Sequence, residues 1–196
     1  MSNSARHFLW PVLLWCLCCA PATGQEYWNY KTAYDAYDSG EFQLAADIYK
    51  RLAKDGDARS QNDLGFLYTV GQGVPQDFKT AAQWFSKAAK QVHAPALMHL
   101  ADFYAAGRGV DQSEIEAHKF YSLASLLAKK SNLRHIAASR RDEVASRLTA
   151  AQLTTARKRA CRWWRHTIFI WKIAASNCQR CCENVALNSA VSGQTI

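Results

Sequence analysis

The residues of this chain that could do chemistry are few and dispersed. Two Gly-x-Gly loops, Gly71-Gln72-Gly73 and Gly107-Arg108-Gly109, come first, because backbone N–H groups in a glycine-rich turn can cradle a phosphate. Neither has the third glycine of a dinucleotide fingerprint or the Lys-Ser/Thr of a nucleotide-binding loop, so both read as turns. His93 and His99 stand six apart, and the central part of the chain holds no His-Glu-x-x-His and no compact Cys/His set, so no metal and no cofactor are expected. Cys178, Cys181 and Cys182 form the tightest thiol group, with Cys161 as a possible fourth; an incidental tail is the favoured account of them. Asp63 and Asp102 could act as acid–base groups, but the sequence offers neither a converging partner, and both read as residues of solvated helix faces. No Ser-x-x-Lys pair occurs, which argues against a serine penicillin-recognising enzyme. Two aromatic groupings remain. Tyr27, Tyr30, Tyr34 and Tyr37 recur on one face of a helix, and Arg157–Arg165 mixes basic residues with Trp163 and Trp164.

These groups must be positioned by a mostly apolar chain. Hydrophobic residues make up 49% and charged residues 20% of its 196 positions, which is enough for a packed core. Only 9 Gly and 4 Pro, with abundant Ala, favour helix over sheet. The net charge of +8 is uneven: residues 25–130 carry 12 Lys/Arg against 13 Asp/Glu, and residues 131–196 carry 11 against 3. The basic character therefore belongs to the C-terminal third, and nucleic-acid binding by the whole protein is not expected. Residues 1–24 read as a secretory signal peptide, with Arg6 before the apolar run Phe8–Cys19 and small residues at Ala20-Pro21-Ala22 and Ala22-Thr23-Gly24. Export, to a periplasm or by secretion, is the expectation.

An internal repeat organises the middle of the chain. At an offset of 36, Ala58 falls on Ala94, Leu64 on Leu100, Tyr68 on Tyr104, Gly71 on Gly107, Gly73 on Gly109, Ala81 on Ala117, Phe85 on Tyr121 and Ala88 on Ala124. A shorter copy lies upstream, with Ala45 matching Ala81 and Tyr49 matching Phe85. Each copy encodes two helices joined by a turn. Leu64, Leu67 and Tyr68 make a one-sided apolar stripe in the first, and Ala81, Trp84, Phe85 and Ala88 do so in the second. Gly65, inside a helix, is expected to admit close approach of the partner helix. Asp77 is the expected N-cap of one second helix, and Asp111 with Glu114 the expected capping box of the next. Ser131 and Thr149–Gln152 are the expected caps of two closing helices, which shield the apolar end of the stack. About eight helices over residues 27–165, and essentially no sheet, are expected.

The stretches Asp57–Tyr68, Gly71–Asp77 and Ala81–Ala89, repeated with Ala101 for the helix glycine, resemble the Sel-1-like repeat family, relatives of the tetratricopeptide repeats. Ser39-Gly40-Glu41-Phe42 looks more tetratricopeptide-like, and Arg141–Trp163 resembles the cap of exported bacterial members. The resemblance covers residues 27–164. It implies an all-α fold, an α-solenoid of antiparallel helix pairs wound as a right-handed superhelix, with C-terminal capping helices. The expected organisation is 1–24 signal peptide, 25–57 tetratricopeptide-like first repeat, 58–93 and 94–130 Sel-1-like repeats, 131–165 capping helices and 166–196 irregular basic, cysteine-containing tail.

The resemblance also implies a scaffold or adaptor without a catalytic site, and a protein partner of unknown identity. In tetratricopeptide-type repeats the first helix of each pair lines the concave surface. The partner-binding candidates are therefore Tyr27, Tyr30, Tyr34 and Tyr37, then Arg59, Asn62, Phe66 and Thr69, then Met98 and Asp102. Aromatic and Arg anchors are what interfaces concentrate. Packing of the tyrosines under the N-terminal segment is the rival account. Two other function classes stay open. One is a surface-associated module touching membrane or another polyanion through the basic C-terminal helix, and the other is an enzyme of unidentified site.

Overall fold

The structure, a computed structural model, describes residues 28–169. The expected signal peptide, Tyr27, Cys178, Cys181, Cys182 and the chain beyond 169 lie outside the described residues. Among the described residues there are eight α-helices and no strand: α1 Tyr30–Asp38, α2 Phe42–Lys54, α3 Ala58–Val70, α4 Phe78–Lys90, α5 Ala94–Ala106, α6 Glu114–Leu127, α7 Ser131–Ala145 and α8 Ala150–Phe169. Each helix packs on the next as far as α7, and α8 then folds back onto α6, making an α-solenoid closed at one end.

Small residues let the helices approach. Ala33, Ala45, Ala81, Ala88, Ala96, Ala101, Ala117 and Ala124 are all buried, interleaved with Ile48, Leu64, Leu67, Phe85, Leu97, Phe103 and Tyr121. A helix-borne alanine costs no side-chain entropy and leaves a notch for the large residue opposite. Gly65 is the extreme case, since a Cβ there would sit 2.8 Å from Cε1 of Phe85. Phe85 in turn stacks on His99 at 4.9 Å and meets Phe103 edge-on at 5.3 Å, so one ring links α3, α4 and α5.

The turns repeat as closely as the helices. Gly71 and Gly107 end α3 and α5 in the left-handed region, with φ of 77° and 68°. Gln76 donates to the Thr69 carbonyl at 2.8 Å, and Gln112 donates to the Ala105 carbonyl at 3.0 Å. The backbone N–H of Asp77 reaches the Tyr68 carbonyl, and that of Ser113 reaches the Tyr104 carbonyl, both at 2.9 Å. Gly73 and Gly109 lie against the preceding pair: a Cβ on Gly73 would stand 2.0 Å from the carbonyl oxygen of Phe42, and one on Gly109 would stand 2.3 Å from that of Phe78.

Three local expectations are corrected. Ser113, not Asp111, caps α6, accepting from the Glu116 N–H. Ser131 is the first helical residue of α7; its N-cap is Lys130, whose side chain makes no capping bond. The last helix runs four residues past 165, to Phe169. Asp77 accepts from the N–H groups of Lys79 and Thr80, and Thr149 with Gln152 forms the reciprocal box.

Val92 occupies the left-handed region at φ 63°, the one non-glycine to do so among the described residues. Its counterpart one repeat earlier is Gly56, at φ 98°. A β-branched residue resists this conformation at a cost of about 1–2 kcal/mol. Val92→Gly is therefore expected to raise stability, by about 1 kcal/mol after the greater freedom of glycine in the unfolded chain is offset. Urea unfolding of the two proteins checks it, and a lower midpoint for the glycine variant would contradict the strain argument.

Candidate functional site

Asn29 starts α1 by accepting a hydrogen bond from the Thr32 N–H at 2.9 Å. The helix it launches buries Ala33 and Ala36 against α2 and turns its tyrosines toward α3. The Tyr30 ring packs tilted on Tyr49 of α2, with centroids 5.8 Å apart. Its hydroxyl donates to Oδ2 of Asp63 at 2.6 Å. Tyr37 meets Phe66 edge-on at 6.4 Å and donates to Gln72 at 3.3 Å. Tyr30, Tyr34, Tyr37, Tyr49, Asp63, Phe66 and Leu67 enclose a pocket of about 140 Å³. Tyr34 and Phe66 are exposed at 52% and 37%, whereas Tyr49 is 2% exposed.

The electrostatics of the pocket centre on Asp63. Its Oδ1 accepts from the Asn62 amide at 3.0 Å. Burial, then the hydrogen bond to Asp63 and the carboxylate charge, push the Tyr30 phenol well above its usual pKa. Burial and the same charge push Tyr49 upward too. Both hydroxyls are therefore neutral donors at ordinary pH. The Arg59 guanidinium lies 4.3 Å from the Tyr30 ring centroid and pairs with Asp57 at 3.3 Å.

The remaining candidates are distributed differently. Asn62 is buried, its Oδ1 lacks a hydrogen-bond partner among the described residues, and it is Asp63 that joins the tyrosines in its place. The expectation that Asp63 and Asp102 sit on solvated faces without partners is overturned. Asp102 accepts from Tyr121 and from Arg140, so it ties α5 to α6 and α7. Thr69 turns inward along its own helix and donates to the Gly65 carbonyl at 2.9 Å. Met98 is half-buried against the C-terminal core. Thr69, Met98 and Asp102 therefore lie outside the pocket, and Gly71, Gly73, Gly107 and Gly109 serve the turns.

Among the described residues no group of three or more His, Cys, Asp or Glu side chains is placed to hold a metal ion. Burial beside Phe85 lowers the His99 pKa, and burial followed by the charges of Arg141 and Arg157 lowers the His118 pKa to about 4. The basic stretch of α8 divides in two. Trp163 meets Phe120 edge-on at 6.4 Å and Arg159 pairs with Glu116 at 2.6 Å, whereas Lys158, Arg162 and Arg165 are exposed. Among the described residues no helix is long and apolar enough to cross a membrane.

The Sel1 repeat family model matches residues 58–93 and 94–128, the spans that hold α3–α4 and α5–α6. The fold is similar to that of c5321, a protective antigen present in uropathogenic Escherichia coli strains and displaying an SLR fold. The two are 22% identical with a TM-score of 0.62, over 74% of this chain and 32% of that one. A Sel1 repeat protein from Oxalobacter formigenes is 23% identical, with a TM-score of 0.48 over 71% of this chain and 55% of that one. The chain thus spans about a third and about half of the lengths of these two proteins. No curated protein matches it. Sel1 repeats form helical scaffolds suited to protein–protein interaction. The chain thus carries two Sel1 repeats at the centre of an all-helical solenoid.

Proposed function

We propose that the protein is a non-enzymatic interaction scaffold, exported to the periplasm or secreted, that engages a protein partner through the aromatic pocket between α1 and α3. The observation carrying this reading is the rim of that pocket, where Tyr34 and Phe66 leave large rings in solvent beside buried Tyr49 and Leu67. Rigid rings at the mouth of a preformed pocket lose little entropy on binding and make good anchors. The export half of the reading rests on residues 1–24. The non-enzymatic half is supported by Asp63 and Asp102, whose carboxylates accept from Tyr30 of α1 and from Tyr121 of α6 and Arg140 of α7 and so tie helices together.

Tyr34→Ala/Phe66→Ala tests the site without attacking the core. The double variant is expected to melt close to wild type, since both rings are exposed, and to lose about tenfold or more in partner capture from an envelope extract. Tyr30 is left in place because its ring packs on Tyr49 and its hydroxyl is bonded. Unchanged capture by the folded variant would move the interaction to the convex face or to α8. In the same fractionation, an envelope-borne protein whose mass still includes residues 1–24 would contradict a cleaved signal.

A further inference from the structure

The pocket has features that an apolar anchor would not use. Asp63 is its only carboxylate, and among the described residues no Lys or Arg pairs with it; Arg59 pairs with Asp57 instead. A carboxylate offers about four lone-pair sites, and Asp63 fills two, with Tyr30 and Asn62. Tyr49 lines the same pocket, is 98% buried, and its hydroxyl makes no hydrogen bond among the described residues. Among the described residues the buried polar atoms without a partner are Ser60 Oγ and Asn62 Oδ1, so the Tyr49 hydroxyl keeps access to solvent and is open to an occupant of the pocket. Around these two groups stand the rings of Tyr30, Tyr34, Tyr37 and Phe66, whose faces are electron-rich.

We propose that this pocket receives a primary ammonium group, the end of a lysine side chain carried by the partner; the proposal rests on the reading of the Tyr34–Phe66 rim as the partner-binding site. The chemistry of the lining selects among occupants. An anion would face the Asp63 charge. A neutral apolar side chain would leave the remaining lone pairs of Asp63, and the Tyr49 oxygen, without a donor. An ammonium brings three donors and one positive charge, which Asp63, the Tyr49 oxygen and the ring faces can all meet. Size agrees: a cavity of about 150 Å³ holds a benzene-sized molecule, so this one takes a side-chain terminus and not a whole metabolite. The half-buried walls reduce solvent screening of the contact, which separates it from a surface ion pair.

The test titrates Nα-acetyl-lysine N-methylamide into the full-length protein and follows backbone amide resonances. Saturable shifts confined to Tyr34, Asp63, Phe66 and their neighbours are expected in the millimolar range. The Nε-acetylated probe and the norleucine probe, which lack the charge, are expected to bind about tenfold more weakly or worse. Asp63→Asn keeps an oxygen for the Tyr30 hydroxyl and should melt near wild type, yet lose about tenfold in lysine affinity. Tyr49→Phe should weaken binding while leaving the core filled. Equal binding of lysine and norleucine probes would overturn the proposal, as would the absence of any saturable shift with lysine. If lysine fails to bind while Tyr34→Ala/Phe66→Ala still loses the partner, the ammonium inference falls and the scaffold reading survives. If lysine binds but capture is unchanged in that variant, the reading of the pocket as the partner site falls instead.

Discussion

Gly109→Ala, a change of one methyl group, is expected to cost about 2–5 kcal/mol. The added Cβ would lie 2.3 Å from both the carbonyl carbon and oxygen of Phe78 and 2.6 Å from the Lys79 nitrogen. These are backbone atoms at the start of α4, so no rotamer change can clear them. The residue also sits at φ 65°, where an L side chain adds about 1–2 kcal/mol of its own. Forced movement of packed elements adds about 1–3 kcal/mol more. Gly73→Ala should behave alike, since its Cβ would stand 2.0 Å from the Phe42 oxygen. Gly40→Ala is the control: φ is 81°, but nothing lies within 4 Å of the added atom. It should show the conformational cost alone. Equal losses for Gly40→Ala and Gly109→Ala in urea unfolding would mean that the contact between helix pairs contributes nothing.

Phe85→Ala should cost about 3–5 kcal/mol, the range for an aromatic removed from a core. The ring is 1% exposed and touches His99, Phe103 and the Gly65 backbone. A sharper result is expected when Gly65→Ala is made in both backgrounds. In the native protein the new Cβ would meet Cε1 of Phe85 at 2.8 Å and Cδ1 at 2.9 Å. The ring is held between His99 and Phe103 and cannot retreat, so Gly65→Ala destabilises. With Phe85 already Ala the space is open, and the intrinsic helix preference for Ala over Gly, about 1 kcal/mol, should show as a gain. The coupling read from this double-mutant cycle therefore changes the sign of one substitution. Additive effects would refute close packing of α3 on α4 as the reason for a glycine at this position.

The helices, the turns and the capping end were legible in the sequence because each is written in local spacing. Leu64, Leu67 and Phe85 recur on helical faces, and all three are buried. Gly71, Gly73, Gly107 and Gly109 mark left-handed turns, and all four have positive φ. The cap of α6 was legible too and was misread: the 36-residue offset carries Asp77 onto Ser113, whereas composition alone points to Asp111.

The site was harder to see. Tyr30 reaches Asp63 across 33 residues, and Arg140 reaches Asp102 across 38. No spacing rule pairs residues on different helices. Asn62 and Asp63 are adjacent in sequence, and which of them faces the tyrosines depends on the rotation of α3 about its axis, a quantity set by packing against α2 and α4. The repeat offset could not supply it either, since Asp63 falls on His99 and Phe66 falls on Asp102, so the two first-helix faces carry different chemistry.

The glycine seams bear on how such a chain can grow. Gly73 meets Phe42 and Gly109 meets Phe78, two contacts displaced along the chain by the same number of residues as the repeat itself. Both are main chain against main chain. A block copied from 58–93 and spliced in after itself would offer its glycine to the helix start before it and its own helix start to the glycine after it. Gene duplication can therefore lengthen the array in whole units without disturbing these main-chain seams. The α7–α8 end does not share this freedom, because Arg147 on Glu114, Arg159 on Glu116 and Trp163 on Phe120 fit it to α6 alone.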